Sequence, residues 1–449
     1  MDRSRLQDLL ARETAEAARR CPRSKDAYGR ADHLFGRVPM TWMNKTAGAF
    51  PRYLAAARGA RVTDIDGHEY IDFCLGDTGA MTGHSPAAVA DAVQHRFAEL
   101  GGATAMLPTE DAEWVGAELT RRFGLARWSF SLTATDANRW AIRLARAVTG
   151  RSKILFNSYS YHGSVDESLI VVGPDGRGEA RPGNVGAPCD VTLTSRVAEF
   201  NDLEQLEREL AHGDVAAVLM EPALTNIGIV LPEPGYLEGV RELTRRHGTL
   251  LINDETHTFS AGPGGCTAAW DLDPDLLTIG KAIGGGIPAG AYGLSAELAD
   301  RLLGRTDLDL IDMGGVGGTL AGNALSVAAM RATLEHVLTD DAFAHMAKLS
   351  ERFEAGVRAG IDAHGLPWTV SRLGARTEYR FASPAPRTGT ESAAAADPVL
   401  EDFLHLYLAN RGILLTPFHN MALMCPDTTE QDVDTHTEQF AAALAELVR

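Results

Sequence analysis

The chain has 449 residues, 45% hydrophobic and only 7% aromatic, which is enough apolar surface for a large core divided over two or three lobes. Its 42 basic and 60 acidic residues give a formal charge of −18, and no lysine- or arginine-rich block could track a phosphate backbone, so neither nucleic acid nor anionic membrane is an expected partner. The five cysteines, Cys21, Cys74, Cys189, Cys266 and Cys425, are odd in number, far apart and without Cys-x-x-Cys spacing, which predicts reduced thiols in a cytoplasmic protein and no structural zinc or other metal site.

Taken in chain order, residues 1–20 are rich in charge and carry no apolar core of export-signal length, and no later run approaches the ~20 apolar residues of a membrane span. Leu6, Leu9 and Leu10 predict an N-terminal helix, followed by an irregular stretch through Pro39, Trp42, Gly48 and Pro51. Residues 61–73 alternate polar and apolar around Asp66-Gly67, which predicts a hairpin. From about Gly83 to Gly322, helical periods (86–100, 109–123, 135–149, 202–212, 234–248) alternate with short apolar strands (152–156, 215–220, 249–254, 275–280, 290–295). That alternation predicts an α/β lobe, a mostly parallel sheet with helices on both faces. Helical patterns at 322–363, 398–411 and 428–447 flank short strands near 377–382 and 413–416, a smaller α+β lobe, with residues 383–396 as an exposed loop. The domain boundaries expected are 1–75 for an N-terminal segment that joins the small lobe, 76–325 for the large lobe and 326–449 for the C-terminal lobe.

Two of the predicted strands end on chemistry. One run closes on Asp254, and the run 276–280 delivers Lys281 to a glycine-rich turn, Gly284-Gly285-Gly286. A nucleotide-binding loop places its glycines before the lysine and a Ser or Thr after it, whereas here the glycines follow and Ala282 comes next. An amine and an acid at neighbouring strand ends are the pair that pyridoxal 5'-phosphate requires: the lysine forms a Schiff base with the aldehyde, and the carboxylate keeps the pyridine nitrogen protonated. Open parallel sheets bind ligands beyond their carboxyl edge, so the two residues can converge. Thr133, Ala134 and Thr135 precede a helix whose first turn can seat a phosphate, or else a threonine there is an ordinary N-cap. Tyr161 and His162 lie on the loop after the strand at 152–156, where Tyr161 can stack on a ring. Glu221 closes one more strand, as a contact or as scaffold, and Thr319 lies in a second small-residue turn ahead of a helix.

Tyr161-His162-Gly163, Glu221-Pro222, Asp254-Glu255, Thr278-Ile279-Gly280-Lys281 with its glycines, and Gly318-Thr319 with Gly322-Asn323 resemble, in order, the motifs of class III aminotransferases. The resemblance runs from about Gly36 to the C-terminus. It implies a fold type I pyridoxal-phosphate enzyme, normally a homodimer with each active site at the subunit boundary. Lys281 then matches the Schiff-base lysine and Asp254 the pyridinium partner. Thr133, Ala134 and Thr135 match the phosphate turn, Tyr161 the stacking aromatic, and Thr319 the hydroxyl that reaches the phosphate from the other subunit. His162, Glu221, Thr256 and His257 complete the expected cofactor contacts. Gly83-His84-Ser85-Pro86 and the overall length are most similar to the glutamate-1-semialdehyde aminomutase and β-amino-acid aminotransferase branch.

The departures bear on substrate. Many members read Asp-Glu-Val-Met-Thr-Gly-Phe-Arg where this chain has Asp254-Glu255-Thr256-His257-Thr258-Phe259-Ser260-Ala261, and Ala134 and Asp136 replace a glycine and a glutamate. A carboxylate usually calls for an arginine fork. The C-terminal stretch 416–421 has none, and Arg37 is the nearest candidate at the N-terminal one. Trp42, Phe418 and His419 suggest an aromatic wall with polar points, although Trp42 equally fits lobe packing. The function expected is an aminotransferase passing an amino group from an α- or β-amino donor to a separate keto acceptor, with an aminomutase or an amino-acid epimerase as alternatives using the same residues.

Overall fold

A computed structural model of the chain describes residues 2–186 and 189–448, which fall into two compact units. The larger comprises 87–340 and 386–394, and the smaller 1–86, 341–385 and 395–449. The units part at 86/87, 340/341, 385/386 and 394/395, whereas the sequence reading placed its boundaries after 75 and 325.

The larger unit is organised by a seven-stranded sheet in the order Arg127–Ser131, Gly290–Leu294, Leu276–Gly280, Leu250–Asp254, Val215–Met220, Lys153–Asn157, Ser195–Ala198. From Leu276–Gly280 to Ser195–Ala198 every pairing is parallel, and Gly290–Leu294 runs antiparallel to both of its neighbours. Strand alternation divides the core. Ile154, Phe156, Ala217, Leu219, Ile252 and Leu276 pack under the helix Ala134–Thr149, whose Ala137, Ala141, Ile142 and Ala145 recur at helical spacing. Leu155, Val218, Met220 and Leu251 face the other way, onto Leu203–Leu210 and Tyr236–Arg246. Both faces being covered explains why these strands read as continuous apolar runs.

The sequence reading did not identify the edge strands Arg127–Ser131 and Ser195–Ala198. The first is half-exposed and alternates Trp128, Ser129, Phe130, and the second is four residues long, so neither gives the apolar run that marks a central strand. The stretch 383–396 is not a plain exposed loop: Gly389–Ala394 is helical, Gly389 and Ser392 are buried, and Ser392 donates to the carbonyl of Ile227.

The smaller unit combines a sheet Leu54–Arg58, Arg61–Asp64, Glu69–Asp72, Ile413–Leu414 with another, Thr369–Leu373, Arg376–Arg380, Met421–Leu423. Asp64 accepts the amides of Asp66 and His68 on Oδ1, which closes the Asp66-Gly67 turn between two strands of the first sheet. The helices Arg3–Arg20, Pro398–Ala409 and Glu430–Val448 pack in this unit, so chain segments from both ends build one body. No helix among the described residues is long and apolar enough to cross a membrane.

Candidate active site

Register sets the centre of the site. Leu250–Asp254 and Leu276–Gly280 are parallel neighbours with Asp254 opposite Thr278, so the residues three places beyond that pairing, His257 and Lys281, emerge together past the carboxyl edge. Lys281 Nζ lies 2.8 Å from His257 Nε2. Lys281 also has φ of 51°, in the left-handed region that a non-glycine residue occupies only at a cost. The glycine before it is a spatial requirement: a Cβ on Gly280 would sit 2.9 Å from the amide nitrogen of Ala134, so the end of the strand abuts the start of the helix Ala134–Thr149.

Asp254 is buried and fully engaged. Its Oδ2 accepts from Asn138 Nδ2 at 2.8 Å and lies 2.9 Å from His162 Nδ1, and its Oδ1 accepts the amide of Thr256 at 3.0 Å. Burial alone would push this carboxyl upward, but the hydrogen bond and charge of His162, with hydrogen bonds from Thr256 and Asn138, bring it down to about 2. It is an anion throughout the working pH range. Asn138, which the motif pattern did not single out, ties three elements together: Nδ2 also donates to the carbonyl of His162 at 3.1 Å, and Oδ1 accepts the Thr278 hydroxyl at 2.6 Å. The signal was present in the sequence, since Asn138 is a polar residue inside the apolar stripe of Ala137, Ala141, Ile142 and Ala145. A buried amide there demands partners.

Thr133 is the N-cap of that helix, accepting the Asp136 amide at 3.1 Å and donating to Asp136 Oδ2 at 3.0 Å, while Thr135 Oγ1 accepts the Ser164 amide at 3.2 Å. The capping role weighed for Thr133 is therefore real, and it leaves the first-turn amides of Ala134 and Thr135 without intrahelical partners. Gly163, at φ 82°, lets the His162 loop cross this turn: a Cβ there would approach Thr135 Oγ1 to 2.0 Å. Tyr161 is on the same loop and half-buried. Glu221 is buried, holds the Thr225 hydroxyl, and is pushed up to about 7 by desolvation, with His162 and Thr225 pulling it down and Asp254 raising it. Thr319, by contrast, stands exposed on a turn.

In the smaller unit the structure brings Trp42 and Phe418 edge to face at 6.3 Å and sets Phe418 beside His419 at 5.1 Å. Lys45, unremarked in the sequence, lies 5.4 Å from the Phe418 ring centre, and buried His419 pairs with buried Glu378 at 3.4 Å. Arg37 does not join them: its exposed guanidinium pairs with Asp32 at 2.8 Å.

The donor set of the larger unit fits pyridoxal phosphate. A carboxylate fixed as an anion can match a protonated ring nitrogen, helix-start amides beside Thr133 and Thr135 can take a phosphate, and a strained lysine presents an amine at the same sheet edge. Thr256, buried beside Asp254, offers a further polar contact to such a ring.

The sequence pattern of the family described as Aminotransferase class-III matches residues 42–444. The chain belongs to this family. Glutamate-1-semialdehyde 2,1-aminomutase of Desulfitobacterium hafniense is 34% identical over 437 residues, 95% of this chain and 98% of that one. A glutamate-1-semialdehyde-aminomutase from Pseudomonas aeruginosa PAO1 superposes with a TM-score of 0.96 at 49% identity, covering 100% of this chain and 99% of the other, and a variant of it has been solved with PMP. An omega-transaminase from Sphaerobacter thermophilus follows the same fold with a TM-score of 0.84 at 31% identity, over 94% of this chain and 97% of its own. Membership makes the chain a fold type I, pyridoxal-phosphate-dependent class III enzyme.

Proposed function

We propose that this enzyme is an aminomutase of the glutamate-1-semialdehyde type, moving an amino group between adjacent carbons of one small amino-aldehyde acid. The observation that carries the reading is the likeness, at TM-scores of 0.96 and identities of 48% and 49%, to structures of a glutamate-1-semialdehyde-aminomutase over the whole chain. This departs from the intermolecular transfer favoured on residues alone, because the same lysine and acid serve both reactions and only the wider similarity separates them.

When bound, pyridoxal phosphate supplies an electron-accepting ring that makes a C–H bond beside a nitrogen acidic. In our reading Lys281 would be the amine that holds the cofactor and, as a free amine, would carry the proton between carbons. Asp254, kept ionised by His162 and Asn138, pairs with the ring nitrogen and holds a proton on it. Thr133, Ala134 and Thr135 seat the phosphate, Tyr161 and Thr256 lie against the ring, and Glu221 acts through His162. Trp42, Phe418 and His419 of the smaller unit are the residues we propose for substrate contact, whereas Arg37 is paired with Asp32. Thr319 completes the phosphate contact of a partner copy. That homodimer reading is supported by exposed Ile311 and Met313 in the segment preceding Thr319 and by exposed Met106 and Leu107, apolar side chains that a second copy could cover. Sedimentation equilibrium giving a monomer would remove it.

The test of the reaction is nitrogen crossover. Glutamate 1-semialdehyde carrying ¹⁵N, mixed with an unlabelled amino donor and a keto acceptor, is expected to isomerise with its label retained. The second reading, a transaminase, is favoured by the missing arginine fork around 416–421 and by the omega-transaminase likeness. Label appearing in the acceptor, without isomerisation, would decide for it.

A further inference from the structure

We propose that His257 is the proton-exchange partner of Lys281, taking from the lysine amine the proton that Lys281 removes from substrate and giving back a proton drawn from water. The inference rests on the reading of Lys281 as the cofactor-bearing amine and goes beyond it by giving that amine a named neighbour with a chemical task.

The pairing is imposed by the sheet. Asp254 sits opposite Thr278, and three residues past that pair, beyond both strand ends, His257 meets Lys281 with 2.8 Å between Nε2 and Nζ. At that separation one nitrogen donates and the other accepts. The pair therefore shares one proton on its line of contact, since two protonated groups would set N–H against N–H. His257 is buried, at 7% exposure, and opens the short helical turn Thr258–Ala261, whose Ser260 amide donates to the His257 carbonyl at 3.2 Å. The ring is thus anchored by its backbone rather than carried on a mobile loop. The positive φ of Lys281 fixes the other partner.

The step is a simple transfer. An ammonium proton on Nζ passes to the Nε2 lone pair, the N–H bond of the lysine breaks as that of the imidazole forms, and Lys281 regains a neutral amine while His257 becomes an imidazolium. Loss of this Nε2 proton to water restores neutral His257 in its starting tautomer, and a proton taken up from water at Nε2 passes back to the lysine. A lysine alone can hand back only one of the three protons already on its ammonium group. A lysine with a histidine beside it can trade that proton with water during the lifetime of the intermediate state.

Two measurements test this, one of which needs no substrate. In cofactor-free protein labelled with ¹⁵N-histidine, the His257 signal, assigned through its loss in His257→Gln, is expected to shift in Lys281→Ala; an unmoved signal overturns the proposal whatever the enzyme's reaction. In the cofactor-loaded enzyme, glutamate 1-semialdehyde deuterated at its amine-bearing carbon is expected to lose most of its deuterium to water in wild type. His257→Gln, which can still hydrogen-bond the amine without carrying its proton, and His257→Met are expected to retain several-fold more, with kcat reduced roughly 10- to 100-fold and KM within about twofold. Equal retention in wild type and both variants overturns the relay. If wild type does not convert this probe, the aminomutase reading fails, and the histidine signal alone decides the proposal.

Discussion

At the scale of single residues, the site is an arrangement of charges held by neutral donors. Asp254 stays ionised because His162, Thr256 and Asn138 together outweigh its burial. Asn138→Ala removes one donor from Asp254 and leaves the Thr278 hydroxyl without its acceptor, so we expect about 1–3 kcal/mol of destabilisation in urea unfolding and a fall in kcat with little change in KM. Asn138→Asp is expected to be worse in activity, since it sets a second carboxylate 2.8 Å from the first; activity equal to wild type would refute the network. Lys281→Ala is expected to abolish turnover and the visible absorbance of covalently held cofactor, checked by spectrum and by mass after borohydride reduction.

At the scale of elements, close approach of backbones positions the groups. The start of the helix Ala134–Thr149 meets the end of Leu276–Gly280 on one side and the His162 loop on the other, and both contacts rely on a missing Cβ. Gly163→Ala would place a methyl 2.0 Å from Thr135 Oγ1 at φ 82°, so we expect loss of about 2–4 kcal/mol and weaker cofactor retention on dialysis, because the loop carrying His162 must lift away from the helix. Thr133→Ala should cost about 1 kcal/mol through the lost cap, measured as a lower Tm. These two elements also show what was legible beforehand. The central strands, the hairpin around Asp66-Gly67 and the long helices could be read because their periodicity is strong. The edge strands and the helix Gly389–Ala394 could not, because a short segment rich in small or polar residues acquires its structure from what it packs against.

At the scale of the whole molecule, buried ionisable groups set the pH dependence of stability. Glu221 is raised from the ordinary 4.5 to about 7 chiefly by burial, so between those values the folded chain holds a proton that the unfolded chain has released. Its contribution is complete below about 4.5 and is lost as pH rises through 7. His436, stacked on Phe353 at 4.2 Å and pushed by burial from 6.5 to about 3, acts oppositely, its contribution fading as pH falls below 6.5. Denaturant titrations at pH 5 and 8 are expected to show Glu221→Gln gaining stability relative to wild type mainly at pH 8, and His436→Leu gaining it mainly at pH 5. Gains of equal size at both pH values would contradict the buried-charge account.

The motifs and their order were sufficient to name the family and the cofactor, because strand ends and helix starts in an open α/β sheet meet at one edge whatever the detail of packing. Folding decided which side chains touch. The parallel register of two strands set His257 against Lys281, the apolar stripe of one helix carried Asn138 to Asp254, and Arg37 was drawn to Asp32. Pairings of this kind depend on distances between residues far apart in the chain, which are fixed only once the backbones have packed.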